Sequence, residues 1–459
     1  MARALPLVLA LIALSVPASA SAAPSVKDRY IVVLKDSADS AAVAKEHGRK
    51  YGVQDQLVYG SALEGYAGKI PPGQLAKIEN DPRVDYVEPD GVAHTTVTQT
   101  GATWGLDRID QRVLPLSGTY TYTQTGAGVK AYVIDTGVRL THTEFGGRAT
   151  SGWDFVDGDS DASDCDGHGT HVAGTIGGAT YGVAKAVNLV AVRVLDCNGS
   201  GAWSWVINGI DWVTQNHQAG QPAVANMSLG GGAFQSVDDA VTGSIADGVT
   251  YSISAGNSNA NACNYSPART PNALTIGATG SNDARASFSN YGSCVDWFAP
   301  GVSITSSYGT GDSATAVLSG TSMSSPHNSG AAALYLQTNP TATPAAVRSA
   351  LASNLTLGVV TSSNTAANHL LYVGPAGAPN PFSLSARGYK TRGVRAVDLT
   401  WSGATTSVDV YRNNVRILTG TANDGFQTDN IGGKGAGTFT YRVCNTGTST
   451  CSNNSTVTF

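Results

Sequence analysis

Five apolar runs recur between residues 97 and 375, and segments of helical periodicity separate them. The runs are "VKAYVID" (129–135), "NLVAVRVL" (188–195), "AVANMSL" (223–229), "TYSISAG" (250–256) and "ALTIGA" (273–278). Between them lie "SWVINGIDWVTQNH" (204–217) and "SVDDAVTGSIADG" (236–248), and Thr343–Pro344 suits the cap and first position of another helix. A strand apolar on both faces must be covered on both. This order therefore predicts an α/β unit, a parallel sheet with helices on each face. In such sheets, sites assemble at the carboxyl ends of the strands.

The flanks differ. Residues 24 to 96 read β-α-β-β-α-β, from "RYIVVLKD" through "AAVAKEHGRKYG" and "YGSALEGYAGKI" to "PPGQLAKIENDP" and "VDYVEPD". That order predicts a small α+β unit with two helices on one sheet face. After the Gly/Pro segment "GPAGAPNPF" (374–382), short strands such as "AVDLTW", "SVDVYRN" and "TFTYRVC" predict a small β-sandwich over residues 376 to 459. Net charge is −8 over residues 97–375 and +4 over 376–459.

The first 23 residues set the compartment. Arg3, the apolar stretch Ala4 to Val16 and the small-residue segment "PASASAA" read as a removable signal peptide. The stretch is shorter than the roughly 20 residues of a spanning helix, and Pro6 disfavours a buried helix. The expected product is soluble and secreted. Charged residues make up only 13% of the chain and the net charge is −5, which points to neither nucleic acid nor a membrane surface as partner. Six cysteines in an exported chain favour three disulfides. They fall in neighbouring pairs, Cys165 and Cys197, Cys263 and Cys294, Cys444 and Cys451, although sequence alone leaves the pairing open. No C-x-x-C spacing supports a thiolate metal site.

Three segments carry chemistry. "YVIDTGV" puts Asp135 at the carboxyl end of a buried strand. "DGHGTHVAGTIGG" sets His168 between glycines, just ahead of a helix. "LSGTSMSSPHNSGAAALYL" (318–336) crowds Ser319, Ser322, Ser324, Ser325 and Ser329 at a helix entrance. A helix N-terminus favours negative charge, which suits an attacking hydroxyl and an adjacent oxyanion. Ser322 alone follows Gly-Thr at the entrance; the other serines suit capping and packing. His171 and His327 read as packed structural histidines.

These segments resemble the signature blocks of the subtilases, the subtilisin-like serine proteases, and they follow the same chain order, Asp, then His, then Ser. A fourth block, "SAGNSN", resembles the family's oxyanion-asparagine strand and carries Asn257. "WGLDRIDQR", "EFGGRA", "NACNYSPAR" and "ARASFSNYGSCVD" look like the proteinase K branch, and most like its aqualysin-type secreted members. The resemblance spans residues 97 to 373, and residues 24 to 96 look like the family's inhibitory propeptide.

It implies a secreted, monomeric serine endopeptidase acting on proteins and peptides. Asp135 would orient His168, His168 would take the Ser322 proton, and Ser322 would form an acyl-enzyme. Asn257 and the Ser322 N–H would hold the oxyanion. Ser228, Leu229 and Gly230 would form one wall of the substrate pocket and Ser254, Ala255 and Gly256 the other, with Trp203 flanking a more distal pocket. No acid falls in these walls, which implies broad cleavage after apolar or aromatic residues.

Structural calcium is implied at Asp296 with the Pro271 and Ala273 carbonyls, at Asp107, Asp110 and Gln111, and in the Asp154–Asp166 run, chiefly Asp159 and Asp161. The propeptide would act as intramolecular chaperone and inhibitor, with self-cleavage near Thr96–Val97. Ser324, Asn328 and Ser329 depart from the family pattern and put the packing of that helix in question. The competing reading is a catalytically silent binding protein on the same fold. A lipase or esterase would carry G-x-S-x-G, which this sequence lacks.

Overall fold

A computed structural model describes residues 25–91, 96–365, 368–375, 382–391, 393–404, 407–447, 451–452 and 454–459. The signal-peptide segment and most of the Gly/Pro segment lie outside the described residues. The chain divides into two compact units, 1–93 and 94–459.

In the first unit, β1 (Ser25–Leu34), α1 (Ser40–Tyr51), β2 (Gln54–Gly60), β3 (Glu64–Lys69), α2 (Leu75–Glu79) and β4 (Val84–Gly91) follow the expected order. The antiparallel sheet runs β2-β3-β1-β4. Val32, Leu34 and Tyr66 of the sheet pack with Val43 and Ala44 of α1 and Ile78 of α2 in one core.

The second unit opens with β5 (Val97–Thr100), α3 (Trp104–Asp110) and β6 (Thr119–Tyr122), the two strands pairing antiparallel. Then come β7 (Lys130–Asp135), β8 (Ala149–Asp154), α4 (His168–Gly177), β9 (Asn188–Arg193), α5 (Trp203–Asn216), β10 (Ala223–Met227), β11 (Gly231–Gly232), α6 (Gln235–Asp247) and β12 (Thr250–Ser254). They are followed by β13 (Tyr265–Ser266), β14 (Leu274–Thr279), β15 (Trp297–Pro300), β16 (Ile304–Ser307), β17 (Thr315–Leu318), α7 (Thr321–Thr338) and α8 (Pro344–Ser353). The seven-stranded sheet is wholly parallel and runs β15-β14-β12-β10-β7-β9-β8.

Alternation explains why the runs carry apolar residues on both faces. Ala131 and Val133 of β7 face α4 and α7, packing with Val172, Ala173, Ile176 and Ala332. Tyr132 and Ile134 face α5 and α6, packing with Val206, Ile210, Val237 and Val241. Both sides of every central strand are therefore dry. The chain enters the sheet at β7 and builds outward in both directions, which opens a crevice at the carboxyl ends of β7, β10 and β12.

The C-terminal region forms two antiparallel sheets. One holds β18 (Ser383–Thr391), β19 (Val394–Ser402) and β22 (Phe426–Asp429); the other holds β20 (Val408–Arg412), β21 (Val415–Thr421), β23 (Thr438–Asn445) and β24 (Ser455–Thr458). Leu384, Val397, Leu399 and Trp401 from one sheet meet Val408, Val410, Tyr441 and Val443 from the other, as a sandwich requires.

Candidate active site

Asp135 ends β7, fully buried, and its Oδ1 accepts from His168 Nδ1 at 2.7 Å and from the Thr136 N–H at 2.8 Å. His168 is the first residue of α4 and its side chain is a quarter exposed to the cleft. Gly167 precedes it at φ 111°, a left-handed conformation where a Cβ would also strike the Tyr308 ring at 2.5 Å. Two opposed effects act on the imidazole. Burial, the largest, disfavours the cation; the Asp135 carboxylate and its hydrogen bond, with Asp166 and Asp164, favour it and prevail. The pKa is raised.

Ser322 is the second residue of α7 and lines the same cleft. Its hydroxyl donates to the Ser228 carbonyl at 3.2 Å, and not to the imidazole. The expected Ser–His hydrogen bond is therefore not made in this rotamer. Catalytic hydrogen bonds of this kind are often long or misaligned until substrate binds.

Asn257 follows β12. Its Oδ1 accepts from both the N–H and the hydroxyl of Thr321, each at 2.9 Å, which leaves the Nδ2 donors free. Thr321 Oγ1 also accepts from the Gly256 N–H at 3.0 Å. One threonine thus clips the helix bearing Ser322 to the segment bearing Asn257.

The cleft encloses about 580 Å³ and is lined by His168, Ser322 and Asn257 together with Ser228–Gly230, Ser254–Gly256, Trp203, Tyr265, Ala268 and Asp166. Trp203 stacks on Phe234 with ring centroids 5.9 Å apart. All these residues sit at the carboxyl edge of the parallel sheet.

Ser324, Ser325 and Ser329 at the entrance of α7 are bonded to the sheet beneath. Asn226 of β10 and Ser252 of β12 point from the sheet towards α7. Asn226 Oδ1 accepts from Ser325 at 2.8 Å and Ser329 at 2.9 Å, while its Nδ2 donates to Ser228. Ser228 Oγ in turn donates to the Ser322 carbonyl at 2.8 Å. Ser252 Oγ donates to the Ser325 carbonyl and accepts from Asn328, whose Oδ1 accepts from Trp297 Nε1. Ser324 Oγ donates to the Ala299 carbonyl. The polar residues that set the packing of α7 in question are buried and bonded.

Residues 126–370 match the subtilase family, and residues 29–96 match the peptidase inhibitor I9 family. The chain belongs to the subtilase family. Over 372 residues the subtilase is 54% identical to the extracellular serine proteinase of Thermus sp. (strain Rt41A), spanning 76% of this chain and 90% of that protein. It is 50% identical over 378 residues to the alkaline serine exoprotease A of Vibrio alginolyticus, covering 78% of this chain and 70% of that one. A cold-adapted subtilisin-like serine proteinase superposes with TM-score 0.59 at 56% identity, over 60% of this chain and all of that one. This subtilase is a secreted serine-type endopeptidase made with an inhibitory propeptide.

Its three disulfides join Cys165 to Cys197, Cys263 to Cys294 and Cys444 to Cys451. The first ties the loop leading into His168 to the segment after β9. Asp164 organises that loop further: its carboxylate accepts from Thr136 Oγ1, from the N–H groups of Asp166, Gly167 and Thr170, and from Thr170 Oγ1. Sequence reasoning places Asp164 only within an acidic run and passes over Thr321. The Asx spacing in Asp164-Cys165-Asp166-Gly167 is the available signal for the first.

The calcium expectations divide. Asp107 and Asp110 lie on α3; Asp110 is half-buried, its buried Oδ1 has no hydrogen-bond partner, and partial burial, with the Asp107 charge adding to it, pushes its pKa up to about 6. Gln111 Oε1 accepts from Ser117 beside them. An orphaned buried carboxylate oxygen among further oxygens fits a hard cation. Asp159 and Asp161 instead accept local N–H bonds in consecutive turns, and Asp154 and Asp157 bracket Arg193. At Asp296, Arg348 stands against both the carboxylate and the Ala273 carbonyl, so those residues do not fit a metal ion. Among the described residues, no three His, Cys, Asp or Glu side chains form a metal-binding group.

Proposed function

We propose that this enzyme cleaves protein chains with broad specificity through an acyl-enzyme on Ser322. The observation that carries the reading is the Asp135–His168 hydrogen bond, set in one cleft with the Ser322 hydroxyl and the free amide of Asn257. Substrate backbone would lie along Ser228–Gly230 and Ser254–Gly256 as an added strand, giving affinity without sequence choice. His168 accepts the serine proton as Ser322 Oγ attacks the carbonyl carbon. The resulting oxyanion meets the Asn257 amide and the Ser322 N–H, and the imidazolium returns its proton to the leaving amine. Water then repeats the sequence to free the acid and restore the serine. The precursor would cleave itself near Thr96–Val97.

Casein hydrolysis tests this: phenylmethylsulfonyl fluoride abolishes it, and an unaffected rate refutes the serine mechanism. The imidazole acts as base only when neutral, so kcat/KM falls as pH drops through the raised His168 pKa. Asp166 contributes to that rise while its Oδ1 accepts from the His168 N–H, a bond that Asn also makes. Asp166→Asn moves the acid limb to lower pH; an unmoved limb, read from the kcat/KM profile, contradicts the electrostatic account.

Calcium held by Asp107, Asp110 and Gln111 would fasten α3 to the loop that follows it and take no part in bond cleavage. Chelation then shortens the half-life at elevated temperature, and Asp110→Asn makes the half-life indifferent to chelator. A chelator response that survives in Asp110→Asn places the ion elsewhere.

A further inference from the structure

At Asp296 a side chain of the protein itself stands where an ion was expected. We propose that the Arg348 guanidinium is the resident cation of the Asp296 site and that it excludes calcium from it. Three elements meet there. Ala273 lies just ahead of β14, Asp296 just ahead of β15, and Arg348 in the second turn of α8. Arg348 Nη1 donates to the Ala273 carbonyl at 2.8 Å and Nη2 donates to Asp296 Oδ1. Asp296 Oδ2 accepts from the Thr275 N–H at 2.8 Å, so both carboxylate oxygens are engaged.

Calcium binds six to eight oxygens at about 2.3–2.6 Å. An ion that close to Oδ1 and to the Ala273 carbonyl would occupy the space of the two guanidinium nitrogens that bond these same oxygens. Like charge and plain volume both forbid the pair. Charge balance favours the arginine, because Asp296 supplies a single negative charge and a guanidinium neutralises it fully. A divalent ion would leave a surplus in a site where the Asp296 side chain is only 15% exposed. The guanidinium is also tethered, and its planar fork matches a carboxylate and a carbonyl at once. The corner formed by α8, β14 and β15 is then held by the chain alone, whatever the free calcium concentration.

Calcium bound per chain, measured by equilibrium dialysis on the secreted enzyme inhibited with phenylmethylsulfonyl fluoride, decides the matter. Asp296→Asn is expected to bind as many calcium ions as the parent while its Tm falls equally with calcium and with chelator. Loss of one ion in Asp296→Asn overturns the proposal. Should that variant not be secreted, Arg348→Met carries the test: one ion more than the parent supports the proposal, and an unchanged count overturns it. Asp110→Asn reports on the separate α3 site, so the two outcomes stay distinct.

Discussion

Ser322→Ala is expected to remain joined to its propeptide and to lower kcat by about 10⁶-fold, the size of the loss when subtilisin's own nucleophile is removed. Truncation deletes one hydrogen bond, to the Ser228 carbonyl, and leaves the Ser228 hydroxyl bonded to the Ser322 carbonyl. The fold should survive, and circular dichroism and Tm check that. The remaining rate, about 10³-fold over water, would come from the oxyanion donors and from binding. Mass spectrometry of the secreted protein reads the processing. A Ser322→Ala chain that is cut normally near Thr96–Val97 in a host without other proteases defeats the self-cleavage reading, and one that digests casein at the parental rate defeats the assignment of the nucleophile.

Asn257→Ala should cost about 10²–10³-fold in kcat with little change in KM, because the amide meets charge that exists only in the transition state. Alanine also strips Thr321 of its acceptor, so a fall in rate alone could reflect a loosened helix. Asn257→Asp separates the two causes. It keeps an oxygen for Thr321, removes the Nδ2 donors and sets a negative charge beside the developing oxyanion. Its kcat should fall at least as far as that of alanine while its Tm stays near the parental value. Parental turnover in Asn257→Asp would remove Asn257 from the oxyanion site.

Much of this arrangement is legible in the sequence, and the gaps have physical causes. Five central strands read clearly because helices bury both of their faces. The two strands that escape a sequence reading, β8 and β15, are the sheet's edges. "ATSGWD" carries Gly152 and exposed polar positions, and "WFAP" is four residues ending in proline. A strand at the end of a sheet tolerates both features better than a central one, so its sequence is weakly marked. Asp135, His168, Ser322 and Asn257 stand out through their segments and through the family resemblance. Thr321 does not, because a threonine becomes a clip only once a loop 64 positions away is folded beside it. Arg348 escapes notice for the same reason: its partners Ala273 and Asp296 lie 75 and 52 positions off.

The polar contacts between α7 and the sheet have a mechanical consequence. Over a purely oily surface a helix can roll about its own axis at modest cost, since one methyl group replaces another. Here Ser325 and Ser329 meet Asn226, and Asn328 meets Ser252 and Trp297. Any other angular setting strands hydroxyls and amides in a waterless interior. The helix has one azimuth, and the direction in which Ser322, its second residue, faces the cleft is inherited from the sheet beneath.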